Sequence, residues 1–466
     1  MRLASFDIFD TTLIRLFGRP ENINILLAGK EHSQGDTLER QVESDNLIAN
    51  PTVRDIINKK RKEGCKIAFI SDMYLDSKFL SEILKREGCM EDDDKIYVSC
   101  EHNARKDTGT LYDLIRKELQ PEEWEHYGDN KRSDIIIAER KGIKTHHIDN
   151  AYRDLASRFV VPAYLPYVLW LLKEARQQNI QRLYFISRDG YILQQIAETL
   201  PHEGIEQRYF FTSRKALQKA LENKEEHQLT MQYFKQEGLM DDCICAMVDV
   251  GWLGTSRKMI NQMLKAEGIV PIHFFYFGTT NSVLPEEYGS YQSFLTAGFL
   301  PYYMQLLVEH YFSASPYPTT LGYQYLNNDL VAPVFPNDEH YCESKIVKTN
   351  VEVCKQMAEA FLKVGTPSAD VLRQWTEKSL NVLAHDFIFA DFSPLMDLPK
   401  FDGQDFVRKL KLTELLLMTL TGQHITVFDK GSLAMTFNNL RIQRILWSLH
   451  CQTGNLRSWL YHLYQR

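Results

Sequence analysis

Short apolar runs that stop at acidic, hydroxyl or glycine residues, each followed by a helical stretch, constrain this chain more than any other feature. Residues 3–9 form the first run and lead into Asp10 and Thr11. Residues 66–70 repeat the pattern, 95–99 and 144–148 are expected as further strands, and 125–127 lead into a Gly-Asp-Asn turn. Helices are expected at 77–87, 109–118 and 133–140, while residues 14–64 are more polar and read as helical. Short apolar runs of this kind are buried strands. Strands alternating with helices specify a parallel sheet that binds ligands at the carboxyl ends of its strands.

A long apolar helix at about 163–178 leads into a second alternating block. Its strands are expected at 182–186, 207–211, 244–250 and 271–277, with helices at 192–200 and 255–266. Beyond residue 283, Pro301, Pro316, Pro318, Pro333 and Pro336 punctuate a loop-rich stretch, and helical periodicity returns from Ser344 to the end. The expected organisation is therefore an α/β domain over 1–150, a second Rossmann-like α/β domain over 151–335, and a mainly helical region over 336–466. The length of 466 residues, too great for one ordinary core, agrees.

Apolar residues at 44% and charged residues at 25% are the profile of a folded globular chain. The net charge of −7, with no block of lysine and arginine, argues against a nucleic-acid partner. The eight cysteines form no CxxC pair and no zinc-ligand spacing, so reduced thiols are expected. Cys243 and Cys245 are expected on one face of a strand. The N-terminus reads as a strand, not a signal peptide. The most apolar stretch, 161–172, is broken by Pro162 and Pro166. No membrane insertion and a cytoplasmic location are expected; the oligomeric state is not legible.

Four strand ends carry chemistry. Asp7 stands in FDIFDTT, Ser71 in FISDM, Lys106 in NARKDTGTLY, and Asp129 with Asp134 in GDNKRSD. Any one of these has an ordinary structural reading, as a cap or a solvated lysine. Their order, each after its own strand, is what singles them out. Together they resemble the four motifs of the haloacid dehalogenase superfamily, over about one third of the chain. The resemblance implies Asp7 as nucleophile, Ser71 holding the transferring phosphoryl oxygens and Lys106 neutralising charge. It also implies Mg²⁺ held by Asp7, the backbone carbonyl of Phe9, Asp129 and Asp134. Elementary chemistry supports these roles. A carboxylate can accept a phosphoryl group, a hard cation removes the repulsion between two anions, and a fixed lysine helps. The substrate implied is a small phosphorylated metabolite. A cap in such proteins would occupy 14–64, which leaves room only for a small helical one.

One position departs from the pattern. Phosphatases of this superfamily carry a second aspartate two residues after the nucleophile as general acid, and here that residue is Phe9. Asp10 follows and is expected to point elsewhere. General acid catalysis is worth roughly 10²–10⁴ in rate. Two alternatives therefore stay open: a phosphate- or nucleotide-sugar-binding regulatory protein with a weak or inactive site, and a metal-independent dehalogenase, whose leaving group needs no proton. Retention of the acidic GDN turn favours phosphate chemistry.

In the second block, FISRDGY places Arg188 and Asp189 at a strand end. VDVGWLGTS places Asp249, Gly251, Gly254, Thr255 and Ser256 at another, and Arg214 follows a third. Glycine turns feeding helix N-termini are anion sites, and the bland reading is a tight turn with capping hydroxyls. The segment has some likeness to the phosphate turns of phosphoribosyltransferases and of actin-like kinases. Glu309 and His310, ahead of a proline-rich loop, could line the same cleft. The chain as a whole is similar to multidomain haloacid-dehalogenase-like hydrolases of bacterial surface-polysaccharide loci, which implies a sugar phosphate or nucleotide sugar.

Overall fold

The computed structural model describes residues 1–33, 36–300, 302–327, 330–336, 344–385 and 393–398, with three short strands at Val407–Lys409, Val427–Asp429 and Ser432–Met435. The chain divides into two compact units, 1–157 with 359–371 and 158–358 with 372–466. Both are α/β, and each is built on a five-stranded parallel sheet.

The first unit opens with β1 (Arg2–Asp7), and β2 (Leu13–Arg15) pairs antiparallel with β3 (Leu47–Ala49). That small ladder lies where only helix was expected. Apart from Arg15 its residues are apolar, and each strand carries one β-branched isoleucine, Ile14 and Ile48, which suits pairing. Helices α1 (Thr37–Asn46) and α2 (Pro51–Lys62) account for much of the rest of 14–64. Then follow β4 (Lys66–Ser71), α3 (Ser77–Arg86), β5 (Lys95–Val98), α4 (Thr110–Leu119), β6 (Glu123–Gly128) and β7 (Lys144–His147). The sheet order is β5-β4-β1-β6-β7, every pair parallel. The chain moves outward from β1 through β4 to β5, then resumes on the other side of β1. The crevice at a parallel sheet's ligand edge opens at such a reversal, here between β1 and β6. Ala4, Phe6, Ile67 and Phe69 pack into one core, while Leu3, Ala68 and Ile70 pack into another on the opposite face. Burial of both faces explains why these strands read as continuous apolar runs.

The second unit begins its sheet after α5 (Val161–Gln177), with β8 (Arg182–Ile186), α6 (Gly190–Ala197) and β9 (Glu206–Phe210). Next come α7 (Arg214–Glu222), α8 (Lys224–Gln236), β10 (Cys245–Asp249), α9 (Thr255–Ala266), β11 (His273–Tyr276) and β12 (Tyr291–Ser293). Its order is β12-β11-β10-β8-β9, all parallel, so the reversal falls between β8 and β10. Because β10 starts at Cys245, Cys243 lies ahead of the strand, and the shared strand face expected for the two thiols is not formed. A two-stranded antiparallel ribbon, β13 (Gly322–Tyr325) with β14 (Val331–Val334), follows. The helix expected beyond Ser344 is present as α10 (Lys345–Val364) and α11 (Ala369–His385). Three short strands stand further along where helix was expected; the rest of that expectation lies outside the described residues. The helical run Ala151–Gln177 is long and apolar enough to cross a membrane, yet 83% of its most apolar window is buried inside the protein, as in a core helix.

Candidate functional site

Asp7 is the last residue of β1 and Gly128 the last of β6, so the reversal of the first sheet is flanked by Asp7 and Asp129. Ser71 closes β4 on the other side of Asp7. Lys106 reaches the same point from a loop held by Asp72, whose carboxylate accepts from the Lys106 backbone N–H at 2.9 Å and from Asp107 N–H at 3.3 Å. Asp134 comes from a π-helical turn, Lys131–Ile137. Asn130 caps that turn by accepting from Arg132 N–H and Ser133 N–H, at 3.0 and 3.1 Å. Glycine is required at 128, because a Cβ there would stand 2.4 Å from Cβ of Asp134.

Asp7, Asp129 and Asp134 each offer a carboxylate oxygen within 4.8 Å of the others. This buried acidic triad can hold a metal ion. Lys106 Nζ donates to Asp7 Oδ1 and, at 2.7 Å, to Asp134 Oδ1. All of these line a cavity of about 480 Å³ together with Ser71, Phe9 and Asp10, the size of a small-molecule site.

The electrostatics are those of a site short of positive charge. Burial pushes Asp7 well above its ordinary 3.8; Lys106 opposes this, and the charges of Asp134 and Asp129 add to it. Burial, Asp10 and Asp134 together push Asp129 up to about 6. Burial works to raise Asp134 too, but Lys106 and His126 outweigh it and hold that carboxyl below the ordinary range. Burial alone would lower the Lys106 ammonium, and the charges of Asp7 and Asp134 instead raise it. One lysine thus serves two carboxylates, and a third stays poorly compensated.

Several participants had no signal in the sequence. Asp10, expected to point away, lines the cavity and is an electrostatic neighbour of Asp129. Its φ of 56° turns the chain back toward the site, and Arg15 Nη1 holds its carboxylate at 2.7 Å. Arg15 is itself buried, bonded at 3.4 Å to Glu43, and lies 4.4 Å over the Phe9 ring. Thr11 donates to Asp129 at 3.2 Å. Beneath the triad, Trp124 Nε1 donates to Ser5 Oγ at 2.7 Å, Ser5 Oγ shares a hydrogen with His126 Nδ1 at 2.8 Å, and His126 Nε2 lies 3.5 Å from Asp134. Ser5 was the one clue, a polar residue inside an apolar run.

In the second unit, Arg188 and Asp189 follow β8, Arg214 opens α7 behind its cap Ser213, and Asp249 ends β10. These come from three neighbouring strands: Asp189 is an electrostatic neighbour of Glu309, Asp249, Arg188 and Arg214, Asp249 of Glu309 and Arg214, and Glu309 of both arginines. His310 joins them, pushed down to about 3 by burial and by the two arginines. The glycine turn has a packing reason: at Gly251, with φ 129°, a Cβ would lie 1.9 Å from the Gly278 carbonyl oxygen. Gly254, with φ 79°, precedes Thr255 and Ser256 at the start of α9.

Compared with known families and with curated proteins, the chain matches no family model and no curated sequence. Function has to be read from the geometry of its sites.

Proposed function

We propose that the first unit is a Mg²⁺-dependent phosphohydrolase or phosphoryl-transfer enzyme of the haloacid dehalogenase kind, acting on a small phosphorylated metabolite through Asp7. The observation that carries this reading is the triad Asp7–Asp129–Asp134 with Lys106 bonded to two of its members. Three carboxyls driven together at the carboxyl edge of a sheet, two of them raised by burial first and further by the charge of Asp134, fit a hard divalent cation. Asp7, the Phe9 carbonyl, Asp129 and Asp134 would hold it, and its charge would let an anionic phosphoryl group approach an anionic nucleophile.

The protein's own groups supply the rest. The Asp7 carboxylate bonds to phosphorus as the bond from phosphorus to the leaving oxygen breaks. Lys106 and Ser71 hold the phosphoryl oxygens. Water then attacks the aspartyl phosphate, releasing phosphate and restoring Asp7. Asp10, which lines the cavity, would accept the proton of that water.

The binding-protein alternative draws on Phe9, whose ring is 8% exposed and packed beneath Arg15, leaving no proton donor at the general-acid position. The test is turnover of p-nitrophenyl phosphate by the full chain with Mg²⁺. The proposal expects activity that Asp7→Asn lowers on the order of 10⁴-fold or more. EDTA should remove it as well. Activity that survives either treatment refutes the mechanism, and no activity at all counts against turnover and favours the binding role.

A further inference from the structure

We propose that the carboxyl edge of the second sheet, at the reversal between β8 and β10, is a separate binding site for a phosphorylated sugar, in which Arg188 and Arg214 take the phosphate and Asp189, Asp249 and Glu309 take the hydroxyls.

The placement comes from topology. Asp249 ends β10, Arg188 and Asp189 follow its neighbour β8, and Arg214 follows β9 on the far side of β8. Side chains from these strands converge where such sheets bind ligands. Glu309 and His310 are brought against them by the turn Val308–Phe312, anchored through the contact of Phe312 with Tyr164 on α5, 5.9 Å between ring centroids.

The surroundings describe a cleft. Arg188, Asp189, Glu309 and His310 keep partial solvent access, and Arg214 is exposed. Yet burial is the first cause of the shifts at Asp189, Glu309 and His310. Groups that are strongly desolvated and still reach solvent lie on the floor of a concavity. Among the described residues, Asp189 makes no hydrogen bond or ion pair, and Asp249 is 8% exposed with Oδ1 accepting from its neighbour Val250 N–H at 2.8 Å. A desolvated carboxyl without a partner is costly, and Asp189 at this strand end serves a ligand better than it serves the fold.

The chemistry of the ligand follows from what is there. Two arginines offer forked donors suited to phosphate. The three carboxyls do not close to within 4.8 Å of one another, unlike the triad of the first unit. Separated carboxylates accept hydrogen bonds from hydroxyl groups.

Calorimetric titration of the full chain with glucose 1-phosphate tests this. An Asp7→Asn background in EDTA keeps the outcome independent of the first site. One equivalent should bind, and glucose or inorganic phosphate alone should bind at least tenfold more weakly. Arg214→Ala should weaken binding about 10- to 100-fold, the range of a lost charge-assisted hydrogen bond, with Arg214→Lys recovering part of it. Asp249→Asn should weaken the sugar phosphate and leave inorganic phosphate unchanged. Absence of binding at millimolar ligand, affinity indifferent to Arg214→Ala, or equal affinity for inorganic phosphate would each overturn the assignment.

Discussion

The two parallel sheets place their acidic residues at the same topological point and assemble them differently. In the first, the chain reverses between β1 and β6, and Asp7, Asp129 and Asp134 close to within 4.8 Å around Lys106. In the second, the reversal falls between β8 and β10, and Asp189, Asp249 and Glu309 are electrostatic neighbours beside Arg214 without closing to that distance. The difference lies in what holds each carboxylate. Asp134 and Asp129 are bound by Lys106, Ser133, Asn130 and Thr11, whereas Asp189 has no such partner among the described residues. A tightly braced acidic cluster suits a small, hard cation whose geometry cannot give way. A loosely braced mixed cluster suits a larger ligand that brings its own donors and acceptors. The two proposals assign one fold plan two chemistries, through the residues at its strand ends.

The largest effect that would sharpen this contrast concerns Phe9. With no general acid at that position, p-nitrophenyl phosphate should be hydrolysed roughly 10²- to 10⁴-fold faster than an alkyl phosphate by the first unit, after allowing for intrinsic reactivity. Phe9→Asp should narrow the gap, read as kcat/KM on both substrates. Equal rates in the wild type would mean that Asp10 supplies the proton and that the first site is more complete than its pattern implies.

Next in size is the strain of the second cleft. Asp249 is raised from its ordinary 3.8 to about 7 by burial first, with Glu309 adding to the rise and the Val250 N–H and Arg214 opposing it; Asp189, Tyr167 and Tyr276 also face it. Its folded value lies above its unfolded one. The native state therefore holds a proton that the unfolded chain loses between about pH 4 and 7, and stability from this group disappears as pH rises through 7. Asp249→Asn should match the wild type near pH 4 and exceed it by roughly 2–4 kcal/mol at pH 8, measured by denaturant unfolding. A difference independent of pH would show that the cleft is not strained.

Metal binding separates the units directly. Mg²⁺ at about 100 times its dissociation constant should stabilise the first unit by about 2.7 kcal/mol, seen as a rise in its melting temperature. Asp134→Asn should abolish that rise and Asp249→Asn should not. A shift that follows Asp249 instead would reverse the assignment of the two clusters. The smallest expected effect is Thr11→Val, which removes the hydrogen bond to Asp129 and should cost about 1 kcal/mol in unfolding experiments.

Much of the α/β plan was legible because burial on both faces of a parallel sheet forces apolar runs, and the strands at 66–70 and 182–186 fall almost where those runs are. The antiparallel pair β2–β3 was not, since two three-residue strands carry too short a period to stand out from helix. The conjunction of Asp7, Ser71, Lys106, Asp129 and Asp134 was likewise visible, as polar residues that each end a strand or its turn.

What the sequence determined by itself was the alternation of strand and helix, and the identity of the residues at the strand ends. Both are local: they follow from side-chain periodicity and from where an apolar run must stop. Only the tertiary structure decided which ends meet. Strand order placed Asp7 beside Asp129 and Asp249 beside Arg188. A left-handed Asp10 and the buried Arg15 turned a carboxylate back into the cavity, and Ser5 and His126 were set under Asp134 from strands more than a hundred residues apart. Distances of that kind depend on how strands are ordered in the sheet, and neighbouring residues along the chain carry no information about that order.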